Sequence, residues 1–464
     1  MLFHTPAFAA FFIAAFAAAW GTRRWPVLHL WTLAGFSFAF YGAWDWRFMG
    51  LLFASCAGNW AAALAVAATQ GAARRRWVAL AVAGNLGVLA TFKYFDFFVA
   101  QANDLAAVLG LAGGLPYAGL ILPVGISFFT FQGISYVVDV HRGEIAPSRR
   151  LVEVLVYIAF FPQLVAGPIV RAAALMPQVR ARALIPEGPA RIAAGFGAAM
   201  ILSGLFKKLV LANWIAFGLT DAVFFAPADY GAADLWLAAY GYAVQIYCDF
   251  SGYSDMAIGL AALLGFHITR NFDQPFRAAS MQEFWRRWHI SLSTWLRDYL
   301  YIPLGGSRGG ERATRRNLMV TMLLGGLWHG AAWTFVLWGF LHGAFLVAGR
   351  ALPRVPRWLG VVVTFHLVVF TFALFRSESL GLFGEFMAGL LSPGPGAVQA
   401  TPFLAALVAF GIALHFLPPR LPEAAGRALD ALPWPVLGAV AGAALAAIGL
   451  MAPDAVTPFI YFQF

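Results

Sequence analysis

The sequence predicts an all-α, polytopic membrane protein. About eleven transmembrane helices, with re-entrant and interfacial helices between them, form a single integral-membrane domain over residues 1–464. Three observations carry that prediction. The chain is 61% hydrophobic and 11% charged, where soluble domains carry about 25% charged residues. Apolar runs long enough to cross about 30 Å of hydrocarbon recur along its whole length. Basic residues gather in the short connections, as the positive-inside rule requires. Within the domain, residues 1–116 read as N-terminal helices, 117–350 as the core that carries chemistry, and 351–464 as C-terminal helices with an aromatic tail.

The spans follow in order. The first run, Phe8 to Trp20, has no basic segment before it and reads as a span rather than a cleaved signal peptide. Further spans fit residues 27–44, 48–70, 77–99 and 117–140. Arg74-Arg75-Arg76 and the three arginines of His141 to Arg150 belong to the cytoplasmic side, and Gln101 to Pro116, with Asp104 and no base, to the outside. The apolar stretch Leu151 to Gly167 is followed by Arg171, Arg180, Arg182 and Arg191. A simple span would put those bases outside, so Pro162, Gly167 and Pro168 point to a broken, re-entrant segment. Arg191 to Leu219 spans outward, Leu235 to Tyr247 returns, and Gly252 to Phe266 reads as a separate short hairpin half. Leu318 to Gly349 reads as two half-spans broken around Gly330, before spans at 358–375, 402–417 and 434–451.

The net charge of +10 would raise nucleic acid in a soluble chain, but loop topology explains most of it here, and no nucleic-acid partner is expected. The segment Arg270 to Asn317 exceeds what topology needs, with nine arginines against four acids, a difference of +5. It suits membrane lipid headgroups or an anionic cytosolic ligand. Cys56 and Cys248 sit in apolar runs, read as packing residues, and supply no metal framework.

Polar groups inside apolar runs are the candidates for function. Gln132, Ser135 and Asp139 share one helix face, and Asp249, Ser251, Ser254 and Asp255 make a second island. Each either hydrogen-bonds helices together or lines a cavity. In Ser280 to Ile302 the residues Trp285, Trp288, Leu292, Trp295 and Tyr299 form one helical stripe, with His289 at its edge and Arg286, Arg287 and Arg297 off it. That pattern predicts one amphipathic helix that lies at the cytoplasmic interface or dips into the protein. His329 lies between two uncharged runs beside Gly325, Gly326 and Gly330, with Trp328 before it and Trp333 one turn on. An ionisable group so placed is a functional candidate by default. His342 reads as structural. Thr457 to Phe464 ends the chain in four aromatics and a tyrosine, Tyr461, being one of them, on what is either an interfacial anchor or an arm that reaches a pore.

These residues resemble the membrane-bound O-acyltransferase (MBOAT) superfamily, in its bacterial branch that acetylates alginate and related exopolysaccharides. The similar stretches are Leu122 to Gln132, Phe161 to Pro168, Tyr247 to Gly259, Glu283 to Leu304, Gly326 to Gly330 and Phe459 to Phe464. The resemblance implies an MBOAT-type helical bundle with a central tunnel in a bacterial inner membrane. It implies acetyl-CoA as co-substrate with no permanently bound cofactor or metal. A glycan acceptor and an extracytoplasmic, SGNH-like O-acetyltransferase partner follow from the same branch. His329 matches the family's near-invariant histidine, His289 its second polar position, and Tyr461 the aromatic tail that handles the acyl group. Arg286, Arg287, Arg297 and Trp328 are then expected at CoA, and Gln132, Asp249, Ser251, Ser254 and Trp333 along the tunnel. Two rival readings stay open: a glycan or lipid transporter, and an MBOAT that acylates a lipid or protein.

Overall fold

The computed structural model describes residues 1–111, 113–182, 193–353, 355–392, 399–418, 421–454 and 457–459, and every regular element among them is helical. The chain divides into two compact units, Met1–Ile192 with Leu263–Ile268, and Ala193–Ala262 with Thr269–Phe464.

The first unit runs α1 (Pro6–Thr22), α2 (Pro26–Asp45), α3 (Met49–Ala68), α4 (Gly71–Lys93), α5 (Phe95–Val108), α6 (Ile126–Arg142), α7 (Leu151–Ala159), α8 (Phe161–Leu164) and α9 (Ala172–Arg182). Thr5 starts α1 by accepting the Phe8 N–H, and Pro6 occupies the first turn, where its missing donor costs nothing. Asn59 of α3 and Asn85 of α4 exchange amide hydrogen bonds of 3.1 and 2.8 Å, which lets two amides sit inside an apolar bundle. The stretch expected to be broken between Leu151 and Gly167 is broken. α7 has nine residues, stops at Phe160, and gives way to the four-residue α8. The polar face of α6 is buried: Gln132 is 1% exposed and the Ser135 hydroxyl meets the Tyr157 hydroxyl at 3.1 Å.

The second unit opens with a rod from Ala194 to Phe225. It comprises α10 (Ala194–Leu205), α11 (Asn213–Ile215) and α12 (Asp221–Phe225), joined by wide π-helical turns at Phe206–Ala212 and Ala216–Thr220. α13 (Ala232–Leu263) follows as one uninterrupted helix of 32 residues. The expected division into a return span and a separate hairpin half is therefore wrong. Gly252 and Gly259 mark a helix crossing and not a break. A Cβ on either would lie 2.7 Å from the carbonyl oxygen of Gly204 or Gly197 on α10. Small residues allow that backbone approach.

The expected single helix over Ser280 to Ile302 is also corrected. It is α14 (Met281–Arg287), a break at Trp288 and His289, α15 (Ile290–Leu296) and a π-helical turn at Arg297–Tyr301. Ser280 caps α14 by accepting the Glu283 N–H at 3.1 Å. The break is a left-handed residue, His289, at φ 42°. The stripe's spacing passes through one such residue nearly unchanged, so periodicity alone does not reveal it.

α16 (Gly310–His329) and α17 (Trp333–Ala351) meet at the predicted break near Gly330, but they are full-length helices of 20 and 19 residues rather than half-spans. Their glycines close the pair. A Cβ on Gly326 would collide with the Phe335 carbonyl and lie 2.9 Å from the Cα of Gly339. α18 (Arg357–Arg376), α19 (Leu380–Gly389), α20 (Pro402–Ala413), α21 (Leu421–Asp430) and α22 (Trp434–Met451) complete the unit. Among the described residues, five helices are long and apolar enough to cross a membrane, or seven if two bent pairs each count as one span, with two shorter apolar helices besides. Several of the other segments first counted as spans, α13 and α16 among them, carry charged or polar residues along their length.

Candidate active site

Both candidate histidines lie in the second unit. His289 stands at the turn between α14 and α15 and is fully buried. Of the two placements the pattern allows, at the interface or dipped into the protein, the ring takes the second. The residues 271 to 273 clip the turn in place. The Asp273 N–H donates to the Arg287 carbonyl at 2.9 Å, and the Ile290 N–H to the Asn271 carbonyl at 2.9 Å. A non-glycine residue at positive φ costs of order 1 kcal/mol or more and persists where surrounding bonds over-determine it. The ring meets Phe250 of α13 edge-on at 4.7 Å and Trp328 of α16 at 6.2 Å. Its Nδ1 lies 3.2 Å from Asn271 Oδ1, while Nε2 is buried with no hydrogen-bond partner among the described residues. Burial pushes its pKa down to about 3, so the ring is neutral at ordinary pH.

His329 is the last residue of α16 and is 5% exposed. Its ring is walled by Trp328 at 5.1 Å, Trp338 at 5.2 Å and Phe375 at 5.2 Å. Trp328 thus has a histidine on each side and is buried, 4% exposed. His342, read as structural, packs on Trp338 at 4.3 Å and Trp285 at 5.3 Å. Its Nε2 lies 3.0 Å from the Thr371 hydroxyl, which itself donates to the Val368 carbonyl at 3.0 Å. The glycines beside His329 serve close packing: Gly330 is covered by the Phe335 ring and Gly325 faces Leu296.

The polar island on α13 is buried: Asp249 is 4% exposed, Ser251 and Ser254 each 1%. Asp249 pairs with Lys208 at 2.7 Å, the two side chains 5% and 3% exposed. The π-helical turn from Phe206 to Ala212 carries Lys207 and Lys208 on successive residues, and Lys207 pairs with Asp255 at 2.6 Å. Neither lysine figured among the sequence candidates. The signal was there, two cations inside an apolar run, and intramembrane charge is a functional flag. Lys208 also donates to the Thr457 carbonyl at 3.0 Å, and the Thr457 hydroxyl donates to Asn213 at 2.9 Å. Phe459 is 1% exposed, 4.7 Å from Tyr253 and 6.1 Å from Phe250. The start of the aromatic tail is therefore held inside the unit. Tyr461 itself lies outside the described residues.

A cavity of about 190 Å³ takes Lys207, Ser251, Ser254, Asp255, Arg270 and Asn271 into its lining, together with apolar side chains. Of the arginines expected at an anionic ligand, Arg286 and Arg297 are exposed, Arg297 beside Asp298, whereas Arg287 is half-buried and bound to Asp273 and Glu283. Trp333 is 54% exposed at the start of α17. Gln132 belongs to the first unit.

The model of the membrane-bound O-acyltransferase family matches residues 148–358. A probable alginate O-acetylase of Azotobacter vinelandii is 42% identical over 369 residues, 77% of this chain and 72% of that protein. The peptidoglycan O-acetyltransferase of Helicobacter pylori is 35% identical over 380 residues, 74% of this chain and 70% of its own. The teichoic acid D-alanyltransferase of Bacillus subtilis is 28% identical over 284 residues, 57% of this chain and 71% of its own. With an all-helical fold, membrane-length apolar helices and three buried histidines inside the matched segment, this chain belongs to the membrane-bound O-acyltransferase family and is a multi-pass membrane acyltransferase.

Proposed function

We propose that the protein takes acetyl groups from cytosolic acetyl-CoA and passes them across the bacterial inner membrane for O-acetylation of an extracytoplasmic polysaccharide. Two of the relatives are named for O-acetylation of such a glycan, alginate or peptidoglycan, which supports the reading. His289 and His329 are the candidate bases for an acceptor hydroxyl, since a neutral imidazole can take its proton. Arg286 is exposed for the anionic CoA, with Arg287 and Arg297 nearby in sequence and Trp328 as an inner wall. The cavity that Ser251 and Ser254 line, with Asp249 beside them in sequence on α13, is where the donor's arm would enter. Gln132 and Trp333 stay as proposed tunnel residues.

The observation that carries the reading is the seat of the tail. Phe459 packs on Phe250, and Phe250 packs edge-on against His289. Tyr461 follows two residues later in the sequence. As a relay it has the right chemistry. A thiol leaves with a pKa near 8.5 and a phenol near 10, so a phenyl ester keeps much of the thioester's transfer potential. An extracytoplasmic hydrolase-like partner would then carry the group to the glycan. The test is glycan acetylation in cells that carry His329→Ala or Tyr461→Phe, with membrane insertion verified. Both variants lose acetylation if the reading holds. Full acetylation with Tyr461→Phe ends the relay, and with His329→Ala it ends the assignment of that histidine.

A further inference from the structure

Asn271 is 1% exposed, and three polar atoms converge on its side-chain oxygen. Its Oδ1 lies 3.1 Å from the Ser291 N–H, 2.8 Å from the Ser291 hydroxyl and 3.2 Å from His289 Nδ1. A backbone N–H can only donate, so the Asn271 atom that faces it is the oxygen. That settles which way the amide points, and Nδ2 then faces the Ser254 hydroxyl at 3.4 Å. An amide oxygen can only accept. The ring nitrogen that faces it must therefore carry the hydrogen, and Nε2 is left with a bare lone pair. Nε2 is also the buried nitrogen with no hydrogen-bond partner among the described residues. The residue is wedged by its backbone as well, since its carbonyl accepts the N–H of Ile290, the residue after His289.

We propose that Asn271 is a positioning residue: it holds His289 in the tautomer with hydrogen on Nδ1 and so presents Nε2 to the proton of the attacking hydroxyl. The inference rests on the acyl-transfer reading and adds a residue to it. The acceptor oxygen bonds to the acyl carbon of the thioester as its proton passes to Nε2. The C–S bond then breaks, and the proton passes from Nε2 to the departing thiolate. His289 ends neutral, in the tautomer it started from, because Asn271 never releases Nδ1–H. Asn271 also lines the 190 Å³ cavity, so one side chain joins that space to the base. Among the described residues, the groups that meet the ring are Phe250, Trp328, Asn271 and Ser291, none of them charged. The charged pair next to Phe250 in the sequence is Asp249 with Lys208.

Two substitutions in the full-length protein test this, with acetyl-CoA as the donor and free thiol as the readout. Asn271→Asp keeps an acceptor for Nδ1–H but adds charge that favours imidazolium. The acidic limb of kcat against pH should move up by about one unit. Asn271→Leu removes the acceptor, and kcat should fall about 100-fold with KM for acetyl-CoA unchanged. A merely structural Asn271 would leave the pH limb of Asn271→Asp where it is, and that result overturns the proposal. A second readout needs no turnover. In protein labelled with ¹⁵N-histidine, the His289 resonances, assigned by their loss in His289→Gln, should show a protonated Nδ1 and a bare Nε2. The opposite tautomer overturns the proposal whatever the activity. No thiol release from wild type, with the expected nitrogen pattern, overturns the acyl-transfer reading and leaves the positioning role standing.

Discussion

The pair Lys208–Asp249 sets the sharpest test of the second unit. Both side chains are all but excluded from solvent, and Lys208 also serves the carbonyl of Thr457. Lys208→Met keeps length and apolar bulk but leaves the Asp249 carboxylate buried without its cation. Breaking a buried pair from one side costs about 3–5 kcal/mol, because an uncompensated charge remains. The lost Thr457 contact adds about 1 kcal/mol. Replacing both partners, Lys208→Met with Asp249→Leu, removes the charge along with the bridge, and such replacements are often neutral. The assay is thermal unfolding of the purified protein in one detergent, with protease cleavage near the C-terminus read in parallel. The single variant should melt well below wild type and the double variant close to it, while both cleave faster after Met451, because the Thr457 anchor is gone in each. A single variant that melts like wild type refutes the buried pair. Equal losses in single and double variants refute the account of why it matters.

Three further outcomes follow. Gly326→Ala puts a methyl against the Phe335 carbonyl. Backbone cannot yield as a side chain does, so α16 and α17 must separate, and melting should fall by more than for Gly325→Ala, where only Leu296 must shift. Stability should also decline in acid. His289 has its pKa pushed down from an ordinary 6.5 to about 3 by burial, so the unfolded chain binds the proton first. The contribution is complete above pH 6.5 and is lost as pH falls from there toward 3, at about 1.4 kcal/mol per pH unit. His289→Gln should flatten that part of the stability curve, and an unchanged slope would contradict a neutral buried ring. Trp338→Ala removes the indole between His329 and His342. It should destabilise by about 3–5 kcal/mol and lower activity further than its stability loss explains, measured by thiol release at a temperature where the variant stays folded.

Much of the architecture was legible in the sequence because hydropathy reports the bilayer directly. The expected span at 434–451 coincides with α22, and that at 358–375 matches α18 to within a residue at either end. The broken segment after Leu151 was legible from prolines and from bases on the wrong side. What hydropathy could not show was how polar groups would be satisfied. Asp249 to Ser254 suggested an interruption, yet α13 runs through it, because Lys208 and Asn271 come from other segments to meet those groups. The turn at His289 was hidden for a related reason. Its left-handed backbone is held by bonds from residues 271 to 273, and a histidine in an aromatic stripe carries no local mark of it. Asn271 could not be found from spacing, since its role depends on which atom faces which.

The most direct measurement of the central claim is transfer of label from radiolabelled acetyl-CoA to the purified, intact chain, followed by mapping of the labelled residue. The account predicts label on Tyr461, removed by Tyr461→Phe and lost or greatly slowed in His289→Gln and His329→Ala. No label on wild type and no thiol released from acetyl-CoA, in protein that melts cooperatively, would contradict it.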